Sequence, residues 1–217
     1  MAVFIGRLSF FHLTTGRYSF IIYLIDISGG DIVLLDYIAL GMVLHKALTG
    51  YDIKKEIAAG VGNFYTASYG SLYPALKKLT DKGYLTMTEQ SQGNRLKKYY
   101  AATEAGRAAF LAWLSSPFDP SSGSVLPRIY FFYELPEEMR KRKLQEYELH
   151  YQQVFQKLKA MEKHFSTAAN DSEYFELSTL YLGLQHMQDS LRWFRHVREE
   201  RPLSEFIQGD FERRNES

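Results

Sequence analysis

Between Leu144 and Phe165, apolar residues fall at Leu144, Tyr147, Tyr151, Val154, Leu158, Met161 and Phe165, in steps of three and four. That spacing keeps one face of an α-helix apolar over successive heptads. A second stripe follows at Leu177, Leu180, Leu184, Met187, Leu191 and Phe194. The pattern predicts long helices over Glu137–Phe165 and Tyr174–Val197, with Pro202 stopping the second. Helices with such stripes must bury them against something. A unit of so few helices, residues 124–200, has little interior of its own. The stripes are therefore expected to meet a second copy of the chain, with Leu177, Leu180, Leu184, Met187 and Leu191 as the dimer seam. An antiparallel pair within one chain is the alternative.

The residues before this region change period several times. Leu34–Leu48 carries Leu35, Ile38, Ala39, Met42 and Val43 on one helical face, and Thr49-Gly50 breaks it. Asp52–Ala59 reads as a short helix with Ile53 and Ile57 inward, ended by Gly60 and Gly62. Ser68–Lys82 reads as a third helix, buried through Leu72, Ala75, Leu76 and Leu79. Gly83 follows where a left-handed cap is expected. Pro74 sits awkwardly inside it, because proline cannot donate to the previous turn. Tyr84–Glu89 and Arg95–Thr103 read as strands around a polar tip, Gln90–Asn94. Glu104–Leu114 is a further helix, and the Pro-, Ser- and Gly-rich stretch Pro117–Gly123 reads as a linker. The expected organisation is a non-matching segment over 1–33, a unit over 34–116, a helical unit over 124–200 and a tail over 201–217.

Three helices followed by a hairpin is the order of a winged helix-turn-helix. In that fold the third helix enters the major groove and the hairpin touches the DNA backbone. The face of the third helix opposite its leucines presents Tyr69, Gly70, Ser71, Tyr73, Pro74 and Lys77, beginning at Ser68. Gly70 permits close backbone approach. The serine and tyrosine hydroxyls can donate to phosphates or base edges. Lys77 and Lys78 add charge, and the helix start attracts phosphate through its unpaired N–H groups. In the wing, alternation places Arg95 and Lys97 on one face and Lys98 on the other. The bland alternatives are that the tyrosines pack and that the wing is merely a solvated charged hairpin. The fold class expected is mainly α, an N-terminal winged helix-turn-helix with a C-terminal helical dimerisation domain.

These residues also resemble a known family. The run Ser68–Leu79 (SYGSLYPALKKL) with Gly83-Tyr84-Leu85 is similar to the recognition helix of PadR-like regulators. Gly50-Tyr51-Asp52-Ile53 resembles the start of that family's second helix. Arg95–Tyr100 (RLKKYY) with Thr103-Glu104-Ala105-Gly106 resembles its wing strand and following turn, and Leu35-Asp36-Tyr37-Ile38 its usual beginning. The resemblance implies a cytoplasmic homodimer on palindromic double-stranded operator DNA, usually a repressor, relieved by a small aromatic or lipophilic effector. The C-terminal part is similar to the larger subfamily, which dimerises through it. Trp113 and Trp193 are candidates to line an apolar effector pocket, with core packing as the alternative.

Charge distribution is compatible with this. Asp36–Ser115 holds ten basic against six acidic residues, whereas Val125–Glu199 holds eleven of each. There is no cysteine, which excludes disulfides, thiolate zinc sites and a cysteine nucleophile. The six histidines show no metal-ligand spacing with a carboxylate. Gly60-x-Gly62 lacks the strand context of a dinucleotide site, so neither an enzyme nor a cofactor is expected. The remaining rival is a protein-interaction scaffold without specific DNA binding.

Residues 1–33 fit none of this. Their longest apolar run, Tyr18–Ile25, is shorter than the roughly twenty residues a membrane span needs. A signal or anchor is weakly imitated. A translation start at Val33, after a Ser28-Gly29-Gly30-Asp31 stretch that a purine-rich ribosome-recruiting sequence can encode, is the competing expectation.

Overall fold

The computed structural model describes residues 32–92, 95–119, 123–163, 171–204 and 206. The expectations for residues 1–31, for the wing tip at Gly93, for the end of the first stripe at Phe165 and for the last residues of the tail lie outside them.

The chain is mainly helical. Helix α1 (Ile32–Met42) leads through a short strand β1 (Leu48–Thr49) into α2 (Gly50–Gly60) and α3 (Tyr69–Asp81). Strands β2 (Leu85–Gln92) and β3 (Arg95–Ala102) form the hairpin, followed by α4 (Glu104–Ser115), α5 (Val125–Tyr130), a 3₁₀ turn (Phe132–Glu134), and two long helices, α6 (Glu137–Glu162) and α7 (Asp171–Arg198).

Helix α1 ends earlier than its apolar run. Its last turn tightens, with Val43 and Leu44 N–H bonded to Leu40 and Gly41 carbonyls. The chain then extends so that Leu48 pairs with Tyr100 and Thr49 with Tyr99, giving the sheet order β1-β3-β2. A two-residue strand has no period to read. Thr49 then caps α2 by accepting from the Asp52 N–H at 3.2 Å. Strand β2 runs past Glu89 to Gln92 because its register against β3 is unbroken, from Leu85↔Ala102 to Gln92↔Arg95. Gly83 takes φ +72° after α3, the left-handed conformation that glycine adopts at least cost. Helix α3 passes through Pro74, which lies exposed, while Leu72, Ala75, Leu76 and Leu79 hold the opposite face in the core.

One apolar cluster joins these elements. It takes Leu35 and Ile38 from α1, Ile53 and Ile57 from α2, Leu72 and Leu76 from α3, and Phe110 and Leu114 from α4. It continues through Phe131 and Phe132 to Leu144 and Tyr147 of α6 and Phe194 of α7. The Pro117–Gly123 stretch therefore separates two regions in sequence but not two cores.

Helices α6 and α7 run antiparallel. Tyr151 meets Phe194 with ring centroids 4.9 Å apart, while further along α6 Leu158 packs with Leu180, Leu184 and Met187. Buried Glu148 receives Arg198 at 3.1 Å and Arg195 at 3.8 Å across the same seam. The stripe expected as a dimer seam lies along this contact. Leu180, Leu184 and Met187 are buried against α6 of their own chain. Leu177 packs at the edge of that cluster and Leu191 is half-buried. A stripe states that a face is covered, not by what, and a partner joined by a short connection closes at little entropic cost.

Candidate nucleic-acid interface

The start of α3 is held open and pre-shaped. Ser68 accepts from the Ser71 N–H at 3.1 Å, and the Ser71 hydroxyl accepts from the Ser68 N–H at 3.2 Å. This reciprocal cap satisfies two backbone donors that would otherwise be orphaned. Both serines remain exposed, as does Gly70, where an added Cβ would meet only Ser68 Oγ, at 3.6 Å.

Beside this start lies an aromatic platform. Tyr69 and Tyr73 stack with centroids 6.2 Å apart and planes 20° from parallel. They are 41% and 48% exposed, too wet for pure core residues. Tyr73 also packs: a Cβ at Gly50 would lie 2.7 Å from its Cε1. The two readings of Tyr73 thus combine, one ring face leaning on α2 while much of the side chain stays in solvent. Lys54 of α2 places its ammonium 3.7 Å from the centroid of the Tyr69 ring, a cation–π distance. Tyr51, on the same helix, is 63% exposed.

The lysines further along α3 divide. Lys77 points to solvent and pairs with Asp81 at 2.6 Å. Lys78 turns inward to the buried carboxylate of Asp36 on α1 at 2.5 Å. Its charge ties α3 to α1 rather than extending the outer surface, contrary to the expectation that both lysines serve it. In the wing, Lys97 is exposed, while Lys98 faces the opposite side and lies 3.7 Å from Glu89 of β2. Arg95 begins β3, but its side chain lies outside the described residues.

The structure therefore brings together Ser68, Tyr69, Gly70, Ser71 and Tyr73 at one end of α3, with Lys77 one turn beyond. Lys54 and Tyr51 were missed by sequence reasoning. The available signal was the polar face of α2 opposite Ile53 and Ile57. What it lacked was the α2–α3 distance, which depends on how the intervening loop folds.

The residue ranges of two family models coincide with these regions. Residues 40–112 match the transcriptional regulator PadR-like family, and residues 124–200 match the C-terminal region of virulence activator alpha. The chain carries a PadR-like domain. That domain is 39% identical over 82 residues to the negative transcriptional regulator PadR of Bacillus subtilis, covering 37% of this chain and 45% of that protein. It is 27% identical over 88 residues to a probable transcriptional regulator of Mycobacterium tuberculosis, covering 40% of this chain and 47% of the relative. In each case the chain spans a little under half the relative's length. Among solved structures, Bacillus subtilis PadR in complex with operator DNA is similar at 23% identity, with 77% of this chain and 98% of that chain covered and a TM-score of 0.37. The same protein in complex with p-coumaric acid gives 23% identity over the same shares and a TM-score of 0.33. A PadR-like regulator of Bacillus cereus gives 22%, 80% and 98%, with a TM-score of 0.37. The family and these relatives of the PadR-like domain are transcriptional regulators, not enzymes. Among the described residues, no group of three or more His, Cys, Asp or Glu is placed to hold a metal ion. No described helix is long and apolar enough to cross a membrane.

Proposed function

We propose that the chain binds operator DNA as a homodimeric transcriptional regulator, acting as a repressor that a small aromatic or lipophilic compound relieves. The observation that carries this is the end of α3, whose leucine face is buried while Ser68, Tyr69, Gly70, Ser71 and Tyr73 stand exposed. A helix so presented fits the major groove, with backbone N–H groups and hydroxyls toward phosphates and base edges. In this reading Lys54, Lys77, Lys97 and Arg95 supply phosphate contacts.

Dimerisation falls to the outer face of the α6–α7 hairpin in place of its seam. Tyr174, Phe175, Tyr181 and Leu182 of α7 are each at least half exposed, and large apolar side chains grouped in this way favour an interface. A two-fold dimer would set two recognition helices about 34 Å apart, one turn of DNA.

The test is a gel shift with the protein's own upstream intergenic DNA at two salt concentrations. A discrete shift that survives competitor DNA and weakens with salt is expected. A folded dimer that shifts no DNA in a genome-wide pull-down overturns this reading in favour of a protein-binding scaffold.

A further inference from the structure

Helix α3 holds the core of the winged-helix part through Leu72, Ala75, Leu76 and Leu79. Apolar contact is non-directional, so such a face by itself tolerates a small roll of the helix about its axis. A roll of about 10° carries a side-chain tip, about 5–6 Å from the axis, through about 1 Å. Hydrogen bonds to base edges occupy a donor–acceptor range of about 2.7–3.2 Å and do not survive that shift. Long lysine side chains follow a phosphate over the same distance. The roll of α3 therefore bears on discrimination between DNA sequences more than on attraction to the DNA backbone.

Two contacts fix the roll. At the start of α3, Tyr73 leans on α2, where Gly50 leaves space for its ring. Toward the end, Lys78 Nζ donates to Asp36 Oδ2 of α1 at 2.5 Å. Lys78 lies about 100° around the helix from Lys77. The Lys77 side chain is 76% exposed and that of Lys78 37%.

Asp36 depends on this one partner. Its side chain is 8% exposed, and Oδ1 is buried with no hydrogen-bond partner among the described residues. Tyr65, in the loop between α2 and α3, also feels the carboxylate: burial first, and then the Asp36 charge, raise its phenol above the ordinary pKa. A phenol brings no positive charge, so among the described residues Lys78 alone offsets Asp36. Rolling α3 parts the pair and leaves a buried carboxylate uncompensated, which is costly. Exchanging such a pair for apolar side chains of similar volume is often neutral or stabilising. The pair therefore contributes to arrangement rather than to folding.

We propose that Asp36 and Lys78 are positioning residues for DNA reading: their ion pair sets the roll of α3, and thereby operator discrimination, without touching DNA. The link to discrimination rests on the regulatory reading above; the setting of the roll does not.

The experiment uses the full chain and a double variant, Asp36→Leu with Lys78→Met. The thermal midpoint of the variant is expected to stay at or above that of the unmodified protein. Without DNA, its Tyr69–Tyr73 amide resonances are expected to broaden or double, because the start of α3 then samples several rolls. With DNA, the ratio of affinity for the upstream intergenic DNA to affinity for a scrambled duplex is expected to fall at least ~10-fold, while the slope of log affinity against log salt is unchanged. Lys78→Arg, which keeps the charge, is expected to keep the ratio. Should the double variant misfold, the Lys78 ammonium resonance of the unmodified protein, assigned through Lys78→Arg, is expected to exchange its protons slowly and to stay in place when DNA is added. Sharp, unmoved Tyr69–Tyr73 resonances in the folded double variant, or a rapidly exchanging Lys78 ammonium, would overturn the setting of the roll. An undiminished affinity ratio would overturn the link to discrimination. So would a salt slope lowered by about one, or an ammonium resonance that moves with DNA, since either makes Lys78 a phosphate contact. A protein that binds no DNA, yet whose α3 resonances broaden in the double variant, counts against the regulator reading and leaves the setting of the roll standing. A protein that shifts its upstream DNA with an unchanged ratio in the double variant does the reverse.

Discussion

The winged-helix part and the α6–α7 hairpin bury their apolar faces in different ways. In the first, the stripes of α1, α2, α3 and α4 close on one another, and the largest fully buried side chains include Ile38, Ile53, Leu72, Leu76 and Phe110. In the second, one face of each helix meets the other around a small cluster, while Tyr174, Phe175, Tyr181 and Leu182 remain outside. The part that presents α3 closes most of its core on itself and shares the rest, through Phe131 and Phe132, with Leu144 and Tyr147 of α6 and Phe194 of α7. The hairpin has its own small cluster further along, around Leu158, Leu180, Leu184 and Met187. The same chain thus holds a winged-helix part and a helical arm that share one core at their junction, and the arm carries exposed Tyr174, Phe175, Tyr181 and Leu182 on α7.

The comparison can be broken at its strongest point first. Phe110→Ala in the larger core is expected to cost about 3–5 kcal/mol, and Leu184→Ala in the small seam cluster about 2–3 kcal/mol, because the latter can partly collapse. Urea unfolding of both variants measures this, and equal losses would mean the seam cluster collapses no more readily than the larger core. Next, Leu182→Asp is expected to raise the dimer dissociation constant at least ~10-fold while leaving helix content intact. Leu184→Asp is expected to lose α7 structure instead, through burial of an unpaired charge. Light scattering with circular dichroism separates these outcomes. A fully dimeric Leu182→Asp protein would show that the outer face is not the interface.

Smaller effects concern the start of α3. Lys54→Ala and Lys77→Ala are each expected to lower the slope of log affinity against log salt by about one, as for a lost phosphate contact. Titrating operator DNA by fluorescence anisotropy at several salt concentrations measures it, and an unchanged slope places that lysine off the interface. Smallest is an acid effect on the connection between the parts. Burial alone would raise the Glu146 carboxyl, but hydrogen bonds from Lys143 and the Phe118 N–H, with the charges of Lys143 and Arg128, bring it below its ordinary value. A carboxyl lowered in the folded state contributes stability above its ordinary value and loses it as pH falls from there through its lower folded value. The protection of the Phe118 amide, its exchange rate taken relative to the intrinsic rate at each pH, is therefore expected to fall as the pH drops below the ordinary carboxylate range. The Glu146→Gln protein should show a flatter response.

Much of the winged-helix part was legible in the sequence. The leucines of α3 fall three and four apart and so name the opposite face, Tyr69, Gly70, Ser71, Tyr73 and Lys77, without coordinates. Gly83 marked the helix end because few other residues take its backbone angle cheaply. The strand β1 was not legible, since two residues carry no alternation. Lys78 was misread for a related reason. It lies next to Lys77 in sequence, and only the packing of α3 on α1 turns it toward Asp36.

What the sequence by itself determined is therefore periodic and local: helices, their apolar faces, the hairpin, and the residues that stand opposite a buried stripe. These follow from the 3.6- and 2-residue repeats, which hold wherever the element is placed. Tertiary structure alone decided which stripe meets which, so that Leu180, Leu184 and Met187 closed on α6 and left Tyr181 and Leu182 outside. It alone set Lys54 over Tyr69, and Phe118 against Tyr147 and His150 with its N–H on Glu146. Those are contacts between residues distant in the chain, and no short-range pattern encodes a distance that depends on how whole elements pack.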